Sequence, residues 1–219
     1  MSSTSAVSPD AALKFFNTVG KLKTLKRTGW VNHEVFEPES VADHMYRMSM
    51  LGFLITDPAV NKDRLIKVCL VHDLAESIVG DITPYDGVTK EQKRKLEQDA
   101  MKSILDDIGN TAVADELMGL WLEYEEGGSP EAHVARQLDK YEMIVQADEY
   151  EQSQGKTLNS FFTSTDGYFT HPEIAQWAAV LLERRNTRLL ASSSSNSNSN
   201  SEGSEQQPSK KAKADHNDQ

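Results

Sequence analysis

The chain has 219 residues, 38% apolar and 26% charged, enough for a single domain with a proper hydrophobic core. Its 23 Lys and Arg against 34 Asp and Glu leave a formal charge of -11, a surface that repels phosphate backbones and anionic lipid and so argues against a nucleic-acid or membrane-surface role. One cysteine excludes an internal disulfide framework and a Cys-rich zinc site, and no apolar run approaches the roughly 18 residues of a bilayer span. The opening MSSTSAVSPD carries neither a secretory nor a transit pattern, so the expected compartment is the cytoplasm.

In chain order the signals are helical. After a flexible stretch 1–8, Pro9 opens a first helix whose Leu13, Phe16, Leu22 and Leu25 keep helical spacing, and it is predicted to end near Gly29. Pro38-Glu39-Ser40 opens a second, to about Thr56, where Asp57-Pro58 stops it. The third, about Lys62 to Val79, is apolar on all sides and reads as the buried central helix. GDITPYDGV from Gly80 to Val88 is a loop. Thr89 with Gln92 forms a capping box for a fourth helix to Ile108; a fifth spans about Ala112 to Glu125, and Ser129-Pro130 opens a sixth to about Ser153. Residues 156–170 read as an aromatic-bearing loop, and His171-Pro172 opens a last helix to Leu190. The expected architecture is therefore all-α: one bundle of about seven helices over residues 9–190, followed by a disordered, low-complexity tail at 191–219. Lys210, Lys211 and Lys213 could serve as a weak nuclear-import or acidic-partner patch, although a solvated end is the plainer reading of that tail.

Chemistry concentrates on three helices. His72-Asp73 with Glu76 puts three ionisable groups into the most apolar helix, which is costly unless they are paired or bound to a metal. Glu76 lies one α-helical turn from His72. His44 stands among Met45, Met48 and Leu51, and Asp139 lies within the stripe Val134, Leu138, Tyr141. Each alone reads more readily as a satisfied core histidine or a helix-face carboxylate than as a ligand. Converged by packing, they make an N2O2 site for Mn, Co, Fe or Mg in preference to a structural zinc. Spacing alone leaves both readings standing.

The order His44, His72-Asp73, Asp139 resembles the HD-domain metal-dependent phosphohydrolase superfamily. Five segments resemble its 5′-deoxynucleotidase branch: Leu25-Lys26-Arg27 with Trp30, Glu39 through His44, His72 through Glu76, Gly80-Asp81-Ile82-Thr83-Pro84, and Leu138-Asp139-Lys140. The resemblance spans about residues 12–190. It implies a divalent ion on His44, His72, Asp73 and Asp139, a catalytic carboxylate at Glu76 assisted by Asp81, and a phosphate-orienting Arg27. The family's aromatic neighbour of that arginine is displaced here to Trp30. Asp81, Ile82, Thr83 and Pro84 fall where the family holds the nucleotide sugar, and Glu76, Asp81 and the Ile82 carbonyl where eukaryotic members hold a second ion. The implied reaction is hydrolysis of deoxynucleoside 5′-monophosphates by metal-activated water, in a protein that forms homodimers. Another nucleotide or an alarmone as substrate, or a nucleotide-binding regulator without turnover, are the alternatives.

Overall fold

The computed structural model describes residues 6–109 and 111–199, with side chains through residue 192. Among the described residues the fold is all-α, with only an isolated bridge between Lys26 and Ser40 in place of any strand. The first helix starts where expected: the Ser8 hydroxyl accepts from the Ala11 N–H at 3.2 Å, Pro9 occupies the first turn, and α1 runs Pro9–Gly20. The predicted continuation to Gly29 does not occur. A 3-10 turn, Lys21–Lys23, is followed by extended backbone and a short α2, Thr28–Asn32. The helical spacing of Leu22 and Leu25 misled because a 3-10 turn preserves a three-residue period. The helix ends because its backbone finds other partners: Val41 N–H donates to the Leu25 carbonyl at 2.9 Å and Arg27 N–H to the Glu39 carbonyl at 3.2 Å.

Ser40 then caps α3, Val41–Gly52, in a reciprocal capping box with Asp43. α3 stops short of Thr56. A Cβ at Gly52 would stand 3.2 Å from Ile66 Cγ1, so glycine there permits the close approach of the next helix. That helix was expected as one rod from Lys62 to Val79, but it divides into α4, Lys62–Val71, and α5, Glu76–Val79. Across the join, Leu74 N–H bonds to Val71, Glu76 to Asp73, Ser77 to Leu74 and Ile78 to Ala75, all three residues back. The chain is wound tighter just where His72 and Asp73 stand.

α6 (Lys90–Ile108, with the Thr89–Gln92 capping box), α7 (Ala112–Glu126) and α8 (Pro130–Gln154) follow expectation. Within the predicted loop a short α9, Asn159–Thr163, forms, and α10 spans Pro172–Ser199. The chain separates into two compact units, Met1–Ala178 and Ala179–Gln219. In the first, α3, α4 and α8 pack on one another around Met48, Leu65, Val68, Cys69 and Leu138, all fully buried, while α7 packs against α4, α6 and α8. Each such side chain contributes roughly 1.5–3 kcal/mol by leaving water. The central position of α4 is as expected, but its enclosure is not complete: Leu70 lies on an outward face at 49% exposure, and Ile78 of α5 at 47%. No helix among the described residues is long and apolar enough to cross a membrane.

Candidate metal centre and active site

The mutual packing of α3, α4 and α8 brings their polar exceptions together. His44 sits on the buried stripe of α3 with Val41, Met45 and Met48; His72 and Asp73 emerge where α4 ends; Asp139 follows Leu138 on α8. Ligand atoms of His44, His72 and Asp139 lie within 4.8 Å of one another. His44 Nε2 is 3.3 Å from Asp139 Oδ1 and 4.0 Å from Asp73 Oδ2, and His72 Nε2 is 3.0 Å from Asp73 Oδ2. Donors about 2 Å from a shared ion stand about 3–4 Å apart, so this spacing fits one divalent cation. Both Nε2 atoms are buried and without a hydrogen-bond partner among the described residues, which is costly unless something accepts their lone pairs.

The ring orientations agree with that role. His72 Nδ1 lies 2.9 Å from the Cys69 carbonyl, which can only accept, so the proton is on Nδ1 and Nε2 faces the cluster. His44 Nδ1 lies 2.6 Å from Glu142 Oε2. Asp139 presents Oδ1 to His44, while its Oδ2 accepts from the Tyr124 hydroxyl at 3.1 Å and pairs with Lys140 Nζ at 3.2 Å.

Beside this cluster lies a cavity of about 510 Å³, and the remaining sequence candidates line it: Arg27, Trp30, Glu76, Asp81, Ile82, Thr83 and Pro84, with His72, Asp73 and Asp139 at its inner end. His44 lies behind the wall. Arg27 Nη1 stands 3.6 Å from Asp73 Oδ2. Trp30 is built into the wall, its Nε1–H donating to Glu39 Oε1 at 2.9 Å and its ring packed on Phe161 and Tyr150. Asp81 clasps the start of α2: its Oδ2 accepts from the Thr28 N–H at 2.6 Å and its carbonyl from the Thr28 hydroxyl at 2.7 Å. The Ile82 carbonyl accepts from Lys93 Nζ at 3.0 Å. Glu76 Oε2 is buried without a hydrogen-bond partner. Among the described residues, the donor groups close enough to share an ion are His44–His72–Asp139 and Glu39–His44–Glu142; neither includes Glu76, Asp81 or the predicted ligand Asp73, which stands beside the first group.

Burial and opposing charge set the protonation of these groups. Burial pushes the Asp73 and Asp139 carboxyls up, but neighbouring imidazole, guanidinium and ammonium groups outweigh it and hold both well below the usual range: His72, His44 and Arg27 for Asp73, Lys140, His44 and Arg27 for Asp139. Burial, Asp73 and Asp81 together push Glu76 well above it. Burial and Arg27 pull His44 down, yet Asp139 and Glu142 prevail and place it at about 9; a divalent ion competes for the same Nε2 lone pair. Burial also drives the Cys69 thiol far up, in keeping with a packing role.

Sequence reasoning missed Glu142, Tyr124, Lys140 as a partner of Asp139, and Lys93. Glu142 had a signal, three residues beyond Asp139 on the same face of α8. Tyr124 and Lys93 had none, since their roles arise only from packing.

The HD-domain family model matches residues 19–176. The 5′-deoxynucleotidase HDDC2 of Danio rerio is 49% identical over 187 residues, covering 83% of this chain and 92% of its own. That of Homo sapiens is 47% identical over 183 residues, covering 83% and 89%. Among solved structures, a conserved hypothetical protein from Pyrococcus furiosus superposes with a TM-score of 0.65 at 28% identity, over 80% of this chain and 99% of its own.

Proposed function

This chain belongs to the HD-domain family, and from that premise we infer that it is a metal-dependent 5′-deoxynucleotidase, hydrolysing deoxynucleoside 5′-monophosphates to deoxynucleoside and phosphate. The observation that carries the reading is the pair of buried, unpartnered Nε2 atoms of His44 and His72, set against Asp73 and Asp139 at the inner end of a cavity that also holds Arg27. At about 510 Å³ the cavity is within the usual range for a small-molecule site, roughly 300–1,000 Å³.

His44, His72, Asp73 and Asp139 would hold a divalent ion of the Mn, Co, Fe or Mg type, which would supply Lewis acidity toward water and a phosphoryl oxygen. Arg27 offers parallel N–H groups to the remaining phosphate oxygens and sets the phosphorus in line for water. Glu76, held protonated by burial and its carboxylate neighbours, gives its proton to the nucleoside 5′-oxygen as that P–O bond breaks, and takes back the proton that water loses on forming the new P–O bond. Asp81, Ile82, Thr83 and Pro84 form the wall against which the sugar rests, with Trp30 behind Phe161 stiffening the opposite side. The Lys93 ammonium, 3.0 Å from the Ile82 carbonyl, disfavours a second dication at Glu76, Asp81 and that carbonyl, so the reading takes one ion per chain.

The same reading includes a homodimer in the cytoplasm. Exposed Tyr46, Met50 and Phe53 along the outer side of α3 and its end support self-association, and the charge of -11 argues against nucleic acid as partner. Phosphate release from a panel of nucleotides, measured with Mn or Co and again after chelation, tests the function. Deoxynucleoside 5′-monophosphates should be hydrolysed only with the ion present. Turnover confined to longer nucleotides or alarmones, or binding without turnover, would overturn the assignment.

A further inference from the structure

We propose that Glu142 is the positioning residue of this metal centre: its carboxylate accepts the Nδ1–H of His44 and so fixes the tautomer and ring orientation that present Nε2 to the ion. The proposal rests on the metal-dependent reading above. A neutral imidazole carries one N–H, and the nitrogen holding it cannot ligate. For His72 the backbone settles the matter, through the Cys69 carbonyl at 2.9 Å. For His44 the task falls to a side chain 98 residues away in sequence, at 2.6 Å.

Glu142 is 1% exposed and lies three residues beyond Asp139 on α8. One rigid helix therefore supplies both a ligand and the group that aims another ligand, and their relative placement does not depend on a loop. A carboxylate in this position also makes the imidazole a stronger donor than a neutral acceptor would. Leaving so buried a carboxylate uncompensated would be costly. Arg47 answers it, with Nη1 3.4 Å from Glu142 Oε1, and is itself held by Gln146 and by Glu149 at 2.9 Å.

Glu39, His44 and Glu142 also lie close enough to be read as a second ion site. Charge argues otherwise. Arg27 Nε is 3.9 Å from Glu39 Oε1 and Arg47 is against Glu142, so two guanidinium groups already flank these carboxylates and repel a dication.

The test compares wild type, Glu142→Ala and Glu142→Gln for Mn2+ dissociation constant, metal per chain by mass spectrometry, and the 15N shifts of the His44 ring in ion-free protein at a pH above the raised His44 value of about 9, where the ring is neutral and has a tautomer. Glu142→Ala should weaken Mn2+ about 10–100-fold and leave His44 a mixture of tautomers. Glu142→Gln, whose amide oxygen still accepts from Nδ1–H, should keep the wild-type tautomer and lose less affinity. A merely structural Glu142 would lower the melting temperature without moving either the Mn2+ constant or the ring shifts. Should Glu142→Ala not fold, Glu142→Gln decides: a switch to the Nε2–H tautomer at wild-type affinity overturns the proposal. Two ions in wild type, one of them lost in Glu142→Gln, would make Glu142 a ligand and overturn it too. Wild type that binds no Mn2+ would sink the metal-dependent reading itself, whereas wild type that binds one ion, matched by both variants in affinity and tautomer, would sink only the role of Glu142.

Discussion

Arg27 is attracted to its neighbours without being committed to them. Its guanidinium stands 3.6 Å from Asp73 and 3.9 Å from Glu39, beyond good hydrogen-bond length, so its donors stay free for a phosphate. Arg27→Ala should leave bound metal unchanged by mass spectrometry while kcat/KM falls about 10²–10³-fold, the usual loss for a donor to developing negative charge. Lysine should restore only part of this, because a point charge lacks the planar two-bond fork. At this scale the sequence was informative where a ligand type stood on an apolar stripe. His44 between Val41 and Met48, and Asp139 after Leu138, could be singled out on that ground, and the structure brings them together with His72. Glu142 and Tyr124 could not be assigned partners, since His44 and Asp139 meet them only through helix packing.

Helices were legible by their punctuation more than by their interiors. Thr89 with Gln92, Ser129 with Pro130, and the glycines at 127 and 155 marked α6, α7 and α8 because each cap is a local bond pattern. The break between α4 and α5 was hidden. The apolar run through Val71 and Leu74 continues unbroken, while the backbone shifts to bonds three residues back. Glu76 was placed on the face of His72 by counting α-helical turns; in a three-residue turn the fourth residue is about 120° round instead of about 40°. Both residues still reach the cavity, from different directions. The Ser40 cap gives a clean test of an element's share. Ser40→Ala removes the hydroxyl that accepts from the Asp43 N–H at 3.1 Å and should cost about 1 kcal/mol in urea denaturation. Turnover should change little, because Met45 and Met48 keep α3 seated.

For the whole molecule, buried acids and His44 bias stability toward low pH. Burial and Glu142 push Glu39 from 4.5 to about 7, and burial raises Glu97 to about 7 despite Lys93. Raised groups bind protons more tightly folded than unfolded, so their contribution is full below 4.5 and is lost as pH rises through about 7. His44, raised from 6.5 to about 9, acts in the same direction at higher pH. Asp73 and Asp139, depressed, act oppositely: their contribution is present above 3.8 and is lost as pH falls below it. The ion-free melting temperature, followed by scanning fluorimetry, should therefore peak at weakly acidic pH and decline toward neutrality, and Glu97→Gln should flatten that decline. The Ser- and Asn-rich composition of residues 192–219 offers no apolar surface to a core, so deleting them should leave phosphate release and melting temperature nearly unchanged.

The clasp between Thr28 and Asp81 joins two pieces of chain that would otherwise fluctuate separately: the helix that begins beside Arg27 and the loop proposed as the sugar wall. Neither can swing outward without breaking both bonds. Trp30, buried and bonded to Glu39, anchors α2 independently, so the loop is the piece that can give way, at the cost of the two clasp bonds, about 2–4 kcal/mol. On the proposed reading, with the sugar against this loop and the phosphate at Arg27, exit of products and entry of the next nucleotide would follow release of the loop from Thr28.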